Sequence, residues 1–288
     1  MKKVVRKKKT VVVPLDFSKE SINGLRLAMV VAESIKANIC LVYVQKKKSE
    51  FYSLSLTEEN NWAKQRFEEI IEKFQPRLKS GKIEYKIRKG RIYEEIVNQA
   101  KYLDASFIVS ATHGSSGFEE FFIGSNAGKI VGASECPVFT IRKDTCPKTI
   151  NRIVIPIDCS LETRQKVPLT CELAKAFKAE IHVLIVLNKG HDAEFKKKLK
   201  AYSDQTCSYI KDLKIPLVRA TVNHSNIASG TIEYATKVKA SLISIMTEQE
   251  LSFSNLILGP YAQQLVNHSS IPVLSIHPNK KYIDAAGI

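Results

Sequence analysis

The segment Thr10-Val-Val-Val-Pro-Leu-Asp-Phe-Ser18 returns later in the chain as Arg152-Ile-Val-Ile-Pro-Ile-Asp-Cys-Ser160. Likewise Glu135-Cys-Pro-Val-Phe-Thr-Ile141 returns as Ser270-Ile-Pro-Val-Leu-Ser-Ile276. The first pair lies 142 positions apart and the second 135, so the second copy is seven residues shorter between these landmarks. We place the shortfall at the first copy's Lys46–Asn61 insertion. A repeat on this scale means one folding unit used twice. The chain therefore divides into 1–145 and 146–288, joined at Arg142–Lys148, and its 288 residues suit two units near ~150 residues each.

Within each unit, short β-rich apolar runs alternate with segments of helical periodicity. In the first, strands are expected at Val11–Leu15, Ile39–Val44, Ile83–Ile87, Phe107–Ser110 and Val138–Ile141. Helices are expected from Ser18, an N-cap, through Ile35, then over Glu58–Leu78, Ile92–Tyr102 and Gly124–Gly132. Trp62, Phe67, Ile70, Ile71 and Phe74 read as core positions of the second helix. The second unit repeats the order, with strands at Ile153–Ile157, Ile181–Leu187, Leu217–Val222, Leu242–Ile245 and Val273–Ile276. Its helices run to Lys178, then over Ala193–Leu213, Ile227–Val238 and Asn255–Val266; Pro168 makes the first of them start late or kink. Strand–helix alternation implies right-handed crossovers, hence two tandem α/β domains, each a doubly wound, five-stranded parallel sheet with helices on both faces.

Ligands of such sheets bind beyond the carboxyl ends of the strands, where strand order reverses. In unit one this rim collects Asp16, Val44, Gly90 and the stretch Ala111-Thr-His-Gly-Ser-Ser-Gly-Phe-Glu-Glu-Phe-Phe-Ile-Gly-Ser125. Asp16 either accepts hydrogen bonds from a ligand or caps the following helix together with Ser18. Gly90 either lets backbone approach a ligand or serves a plain turn. Gly114 and Gly117 can aim successive N–H groups at an anion, and Gly124-Ser125 opens a helix whose free N–H groups favour a phosphate. His113 either touches a phosphate or closes a hydrogen bond within the turn.

Other chemistries find no footing. Gly124-Ser-Asn-Ala-Gly-Lys-Ile130 has one residue too few for a P-loop and Ile130 where a magnesium-binding hydroxyl belongs. No G-x-G-x-x-G follows a strand, and no nucleophile elbow, metal-ligand cluster or carboxylate pair appears. Six cysteines lack any C-x-x-C spacing and read mostly as small core residues. The net charge of +15 comes with short basic runs at the N-terminus, Lys46–Lys48 and Lys196–Lys200, without interleaved aromatics or a nucleic-acid motif, so it reads as solvated surface, with a polyanion contact as the alternative. Val11–Leu15 is too short for a signal-peptide core of roughly 7–15 residues, and no apolar run reaches the ~20 residues that a bilayer needs. A cytoplasmic location is expected.

These residues resemble the universal stress protein family, and the resemblance covers both halves, as in a tandem member. The family's nucleotide-binding members carry G-x2-G-x9-G-[ST]. Here Gly114 and Gly124-Ser125 match its later part, in the context Thr112-His-Gly-Ser-Ser-Gly117, while Ala111 replaces the first glycine. The resemblance implies an adenine nucleotide such as ATP, with or without Mg. Asp16 would meet the adenine end, Val44 would line the base pocket and Gly90 would lie near the phosphates. Thr112, His113, Gly114, Gly117, Gly124 and Ser125 would form the phosphate loop. In unit two, Met246, Gln249 and Pro260 stand at the positions of Ala111, Gly114 and Ser125, and Glu248 and Glu250 add negative charge, so that site is degenerate. By the same resemblance the last strands of the units pair as an internal pseudo-dimer, which protects two sheet edges and leaves homodimerisation open. The leading reading is a nucleotide-binding stress or regulatory protein with one competent site. A scaffold binding another small anion or a protein comes second, and a slow ATP hydrolase third, because no catalytic base is identified.

Overall fold

The computed structural model describes residues 8–45, 55–112, 125–142, 146–160, 162–247 and 258–278. Unit one runs β1 (Thr10–Pro14), α1 (Lys19–Ile35), β2 (Asn38–Gln45), α2 (Leu56–Phe74), β3 (Ile83–Lys89), α3 (Ile92–Leu103), β4 (Phe107–Ala111), α4 (Ser125–Ala133) and β5 (Val138–Ile141). Unit two runs β6 (Arg152–Pro156), α5 (Lys166–Phe177), β7 (Glu180–Leu187), α6 (Ala193–Asp212), β8 (Leu217–Asn223), α7 (Ile227–Lys237), β9 (Leu242–Met246), α8 (Pro260–His268) and β10 (Val273–Ile276).

All ten strands form one sheet in the order β3-β2-β1-β4-β5-β10-β9-β6-β7-β8. Neighbours within each unit are parallel, and the single antiparallel pair is β5–β10 at the seam, where Leu274 faces Phe139. The doubly wound units are as the strand–helix alternation implied, and their pairing through the last strands is as the family resemblance implied. Val11, Val12 and Val13 in succession are fully buried, which is the pattern of a parallel strand covered on both faces. One helical layer (α1, α2, α5, α6) packs a core on one face, and the other (α3, α4, α7, α8) packs the second, each continuous across the seam. Two donors bridge the units near that seam. Arg142 Nη1 donates to the Asn267 carbonyl at 2.9 Å, and His277 Nε2 donates to the Val131 carbonyl at 2.5 Å.

Local chemistry explains the element ends. Ser18 caps α1, accepting from Ser21 N at 3.2 Å, and Leu25, Ala28, Val31 and Ala32 form its buried stripe. The second helix begins at Leu56, two residues before the expected Glu58, because Ser55 and Glu58 form a reciprocal capping box. Pro168 falls in the first turn of α5, where its missing N–H has no partner to lose; the helix starts late and does not kink there. The last helix begins at Pro260, which pre-sets a first helical residue, and the expected start at Asn255 lies outside the described residues. Trp62 is not a core residue. It is 39% exposed, while Phe67, on the adjoining stripe of α2, is fully buried.

Candidate functional site

In unit one the strand order reverses between β1 and β4, and the registers set a row across this rim. Pro14 pairs with Val42 and Val12 with Ile108. Carried past the strand end, the same offsets place Asp16 between Val44 on one side and Thr112 on the other. Three of the sequence-picked residues therefore converge. Gly90 follows β3 and is tied to β2, its N–H donating to the Gln45 carbonyl at 3.2 Å; two strands separate β3 from β4. His113, Gly114, Gly117 and Gly124 lie outside the described residues, and Ser125 is the first residue of α4.

Asp16 acts first on its own loop. Its Oδ1 accepts from Ser18 N at 3.1 Å and from Ser18 Oγ at 2.5 Å, while Ser18 Oγ accepts from Ser21 N. Capping thus belongs to Ser18, and Asp16 orients the cap. Between them Phe17 has φ of 65°, a left-handed conformation costly for a bulky residue. The other non-glycine residues with positive φ among those described (Lys36, Asp104, Lys178, Lys214 and Lys239) all close helices. Phe17 alone precedes one. Such strain clusters at functional loops. Cys159, at the same place in unit two, does not share it.

Thr112 is buried, and its N–H donates to the Ile141 carbonyl at 2.9 Å. Ala111 is the last strand residue of β4, paired with Ile141 in a conformation that needs no glycine. Its methyl lies 3.9 Å from the place a Cβ would take on Gly24 of α1, so it points toward that helix. The departure from the glycine pattern therefore puts no strain on the backbone. Gly90 has φ of 156°, and an added Cβ would meet Glu95 Oε1 at 2.9 Å; the turn by itself requires glycine.

Unit two repeats the row with Val186, Asp158 and Thr247, by the registers of β6 with β7 and β9. Its interior differs. Lys166 stands where unit one has Gly24 and is 2% exposed. Its Nζ donates to Thr163 Oγ1 at 2.9 Å. Burial pushes its pKa down to about 8, against the pull of the exposed Asp158. Overlaying the two copies pairs Gly24 with Lys166, a signal present in the sequence and not used there; Phe17 and Trp62 left no such signal.

Among the described residues no group of three or more His, Cys, Asp or Glu could hold a metal ion. Cys40, Cys171 and Cys207 are buried, the other three half-buried, and burial pushes every one of these thiols up, away from a reactive thiolate. No helix among the described residues is long and apolar enough to cross a membrane.

Fold and topology together define a tandem doubly wound α/β protein whose strand order reverses between β1 and β4. The sequence profile of the universal stress protein family matches residues 8–142 and again 149–277, and the chain belongs to that family. A universal stress protein of Methanocaldococcus jannaschii is 28% identical over 143 residues, which are 47% of this chain and 82% of that relative. A crystal structure of a universal stress protein from Archaeoglobus fulgidus matches with a TM-score of 0.76 at 18% identity, covering 94% of this chain and 98% of that one. A functionally unknown protein from Pseudomonas aeruginosa matches with a TM-score of 0.64 at 14% identity, over 97% of this chain and 95% of its own. At these identities the likeness to the solved structures concerns the fold.

Proposed function

We propose that residues 1–145 bind an adenine nucleotide, ATP or AMP, at the β1/β4 switch point, and that the protein serves a stress-response or regulatory role. The carrying observation is the row Val44–Asp16–Thr112, which continues into the chain that enters α4 at Ser125. The residues fit the ligand. Asp16 presents a carboxylate beside the rim, Ala111 turns its methyl toward α1, and the first N–H groups of a nine-residue helix face a phosphate favourably. Gly114, Gly117, Gly124 and Ser125 would hold the phosphates, with His113 alongside, and Gly90 would border the site from β3. No described residue is assigned to Mg.

Residues 146–288 serve as the structural half. Lys166 fills the interior beneath the corresponding crevice, and Met246, Gln249 and Pro260 replace the phosphate loop. No catalytic base is assigned, so the reading is binding rather than turnover. Calorimetric titration of the full chain with ATP, ADP and AMP tests it: one site per chain is expected, lost in Asp16→Ala. Absence of heat and of thermal protection at millimolar nucleotide would overturn it.

A further inference from the structure

The sheet ends in two edge strands, β3 on one side and β8 on the other. Their registers make the two edges comparable residue by residue. Val11 pairs with Ile39 and Ile39 with Ile83, and 142 positions on, Ile153 pairs with Ile181 and Ile181 with Leu217. Ile83 therefore corresponds to Leu217. From there the alternating residues on one face of β3 are Glu84, Lys86 and Arg88, all charged. Their counterparts on β8 are Val218, Ala220 and Val222. Charged side chains, lysine above all, keep an edge strand from pairing with another chain. Unit one has this guard, and unit two lacks it at all three places.

The outer side of β8 is a template for a further strand. Ile181 N donates to the Pro216 carbonyl and His224 N to the Leu187 carbonyl, both at 2.8 Å. Strand alternation then turns the peptide groups of Val218, Ala220 and Val222 toward β7. Those of Leu217, Arg219, Thr221 and Asn223 point outward, where no strand among the described residues takes them. Val218 is 39% exposed, while Ala220 and Val222 pack partly on the core of their face. The strand's one charged side chain, Arg219, is ion-paired with Asp204 of α6.

We propose that β8 pairs antiparallel with β8 of a second copy of this chain, about a two-fold axis through Ala220. Such an interface is isologous, so one surface must complement itself. Centred on Ala220, the register sets Leu217 against Asn223 of the second copy and Arg219 against Thr221. Every outward-pointing residue then meets another, which is what a hydrogen-bonded antiparallel pair requires. Val218 faces Val222 of the second copy, a β-branched pair with no charge in it. An axis through Arg219 would instead oppose two guanidinium groups. The same pairing on β3 would set two copies of Lys86 face to face, and like charges directly opposite repel. The chain already joins its own halves by this device, since β5–β10 is an antiparallel seam between two parallel half-sheets. In the dimer the second units meet at the centre and β3 of each copy lies outermost. The pairing needs no nucleotide.

Light scattering of the full chain, over a concentration series reaching about 100 μM, should give twice 32.3 kDa. Ala220→Lys gives β8 the side chain that β3 carries at Lys86, which this fold accommodates there, and should weaken the dimer roughly ten-fold or more. Val218→Glu, at an already exposed position, should weaken it to a similar degree. Adding Val222→Lys to Val218→Glu should restore it, because the register brings the two new charges together across the axis. Ala220→Cys should cross-link under mild oxidation through position 220, found by mass spectrometry as one peptide joined to itself. Far-UV circular dichroism verifies that each variant is folded, and the cross-link decides the matter should a charged variant fail to fold. A monomer at every concentration overturns the inference and leaves the edge to some other strand. A mass that keeps growing with concentration overturns it in favour of head-to-tail growth. A dimer that survives both single charges and gives no cross-link at 220 has its interface elsewhere, and overturns it too.

Discussion

Gly24 and Lys166 occupy one position in two copies of the same fold, and they solve it in opposite ways. At Gly24 the backbone of α1 comes so close to β4 that a Cβ would lie 3.3 Å from Ala111 N. At Lys166 a whole cationic side chain is buried, hydrogen-bonded to Thr163. The exchange separates a unit with a close-packed crevice base from one in which an ammonium lies inside.

Lys166 should make stability depend on pH. Its folded pKa of about 8 lies below the unfolded value, so between about pH 8 and pH 10.5 the unfolded chain holds more protons and stability rises with pH. Below pH 8 the cost of the buried charge is present in full. Lys166→Met should therefore stabilise the protein at pH 7, by up to about 3 kcal/mol. The buried thiols, whose pKa values are raised, act in the opposite sense above pH 9, so the quantity to read is wild type minus variant in chemical denaturation. A variant that is less stable at pH 7 would refute this.

His277 should make the seam acid-sensitive. Its Nε2–H donates to the Val131 carbonyl and its Nδ1 lies 2.7 Å from Thr247 Oγ1. Burial depresses its pKa, so the neutral ring's contribution is present above about pH 6.5 and fades as pH falls toward the folded value. His277→Phe should cost about 1–3 kcal/mol at neutral pH, because the Val131 carbonyl loses its imidazole donor and Thr247 Oγ1 keeps only its 3.3 Å bond to the Ile276 carbonyl. It should also flatten the acid limb of the stability profile relative to wild type. His182 is depressed by burial too and stays in both proteins, so the difference isolates His277. An unchanged acid limb would count against the assignment.

Ser18→Ala should remove the cap of α1 and release the Asp16 carboxylate from its turn. We expect a loss of about 1 kcal/mol in stability together with weaker ATP binding. Equal melting temperatures for variant and wild type would mean that the cap contributes nothing.

Gly90→Ala should destabilise by about 1–3 kcal/mol, because φ of 156° excludes a side chain comfortably and Glu95 already fills the space. Thermal melting checks this; a neutral outcome would show that the turn relaxes.

The repeat made the fold legible. Two strands of known order and a matched closing strand in each half leave few topologies, and β5 and β10 lie where the sequence places them. The rim was legible for a related reason: Asp16, Val44 and Thr112 follow strands that the apolar runs define. Trp62 was misread because helical spacing tells which residues share a stripe, not where the neighbouring helix stops covering it. The strain at Phe17 is a backbone angle, and no residue type announces it. Lys166 belongs to no motif, and only the overlay of the two copies sets it against Gly24.

The single antiparallel seam has a consequence in the placement of α4. Reversal at β5–β10 sends the carboxyl ends of the two units' strands to opposite edges of the sheet, and the two switch points with them. α4 begins at one of them with Ser125 and ends near the other, where its Val131 carbonyl receives His277. With about 1.5 Å of rise per residue, a nine-residue helix reaches only some 13 Å, a stiff strut with one foot at each edge. If the proposed nucleotide binds at the first foot, only one helix and one hydrogen bond lie between it and His277. The His277 ring resonances are therefore the place to watch when nucleotide is added.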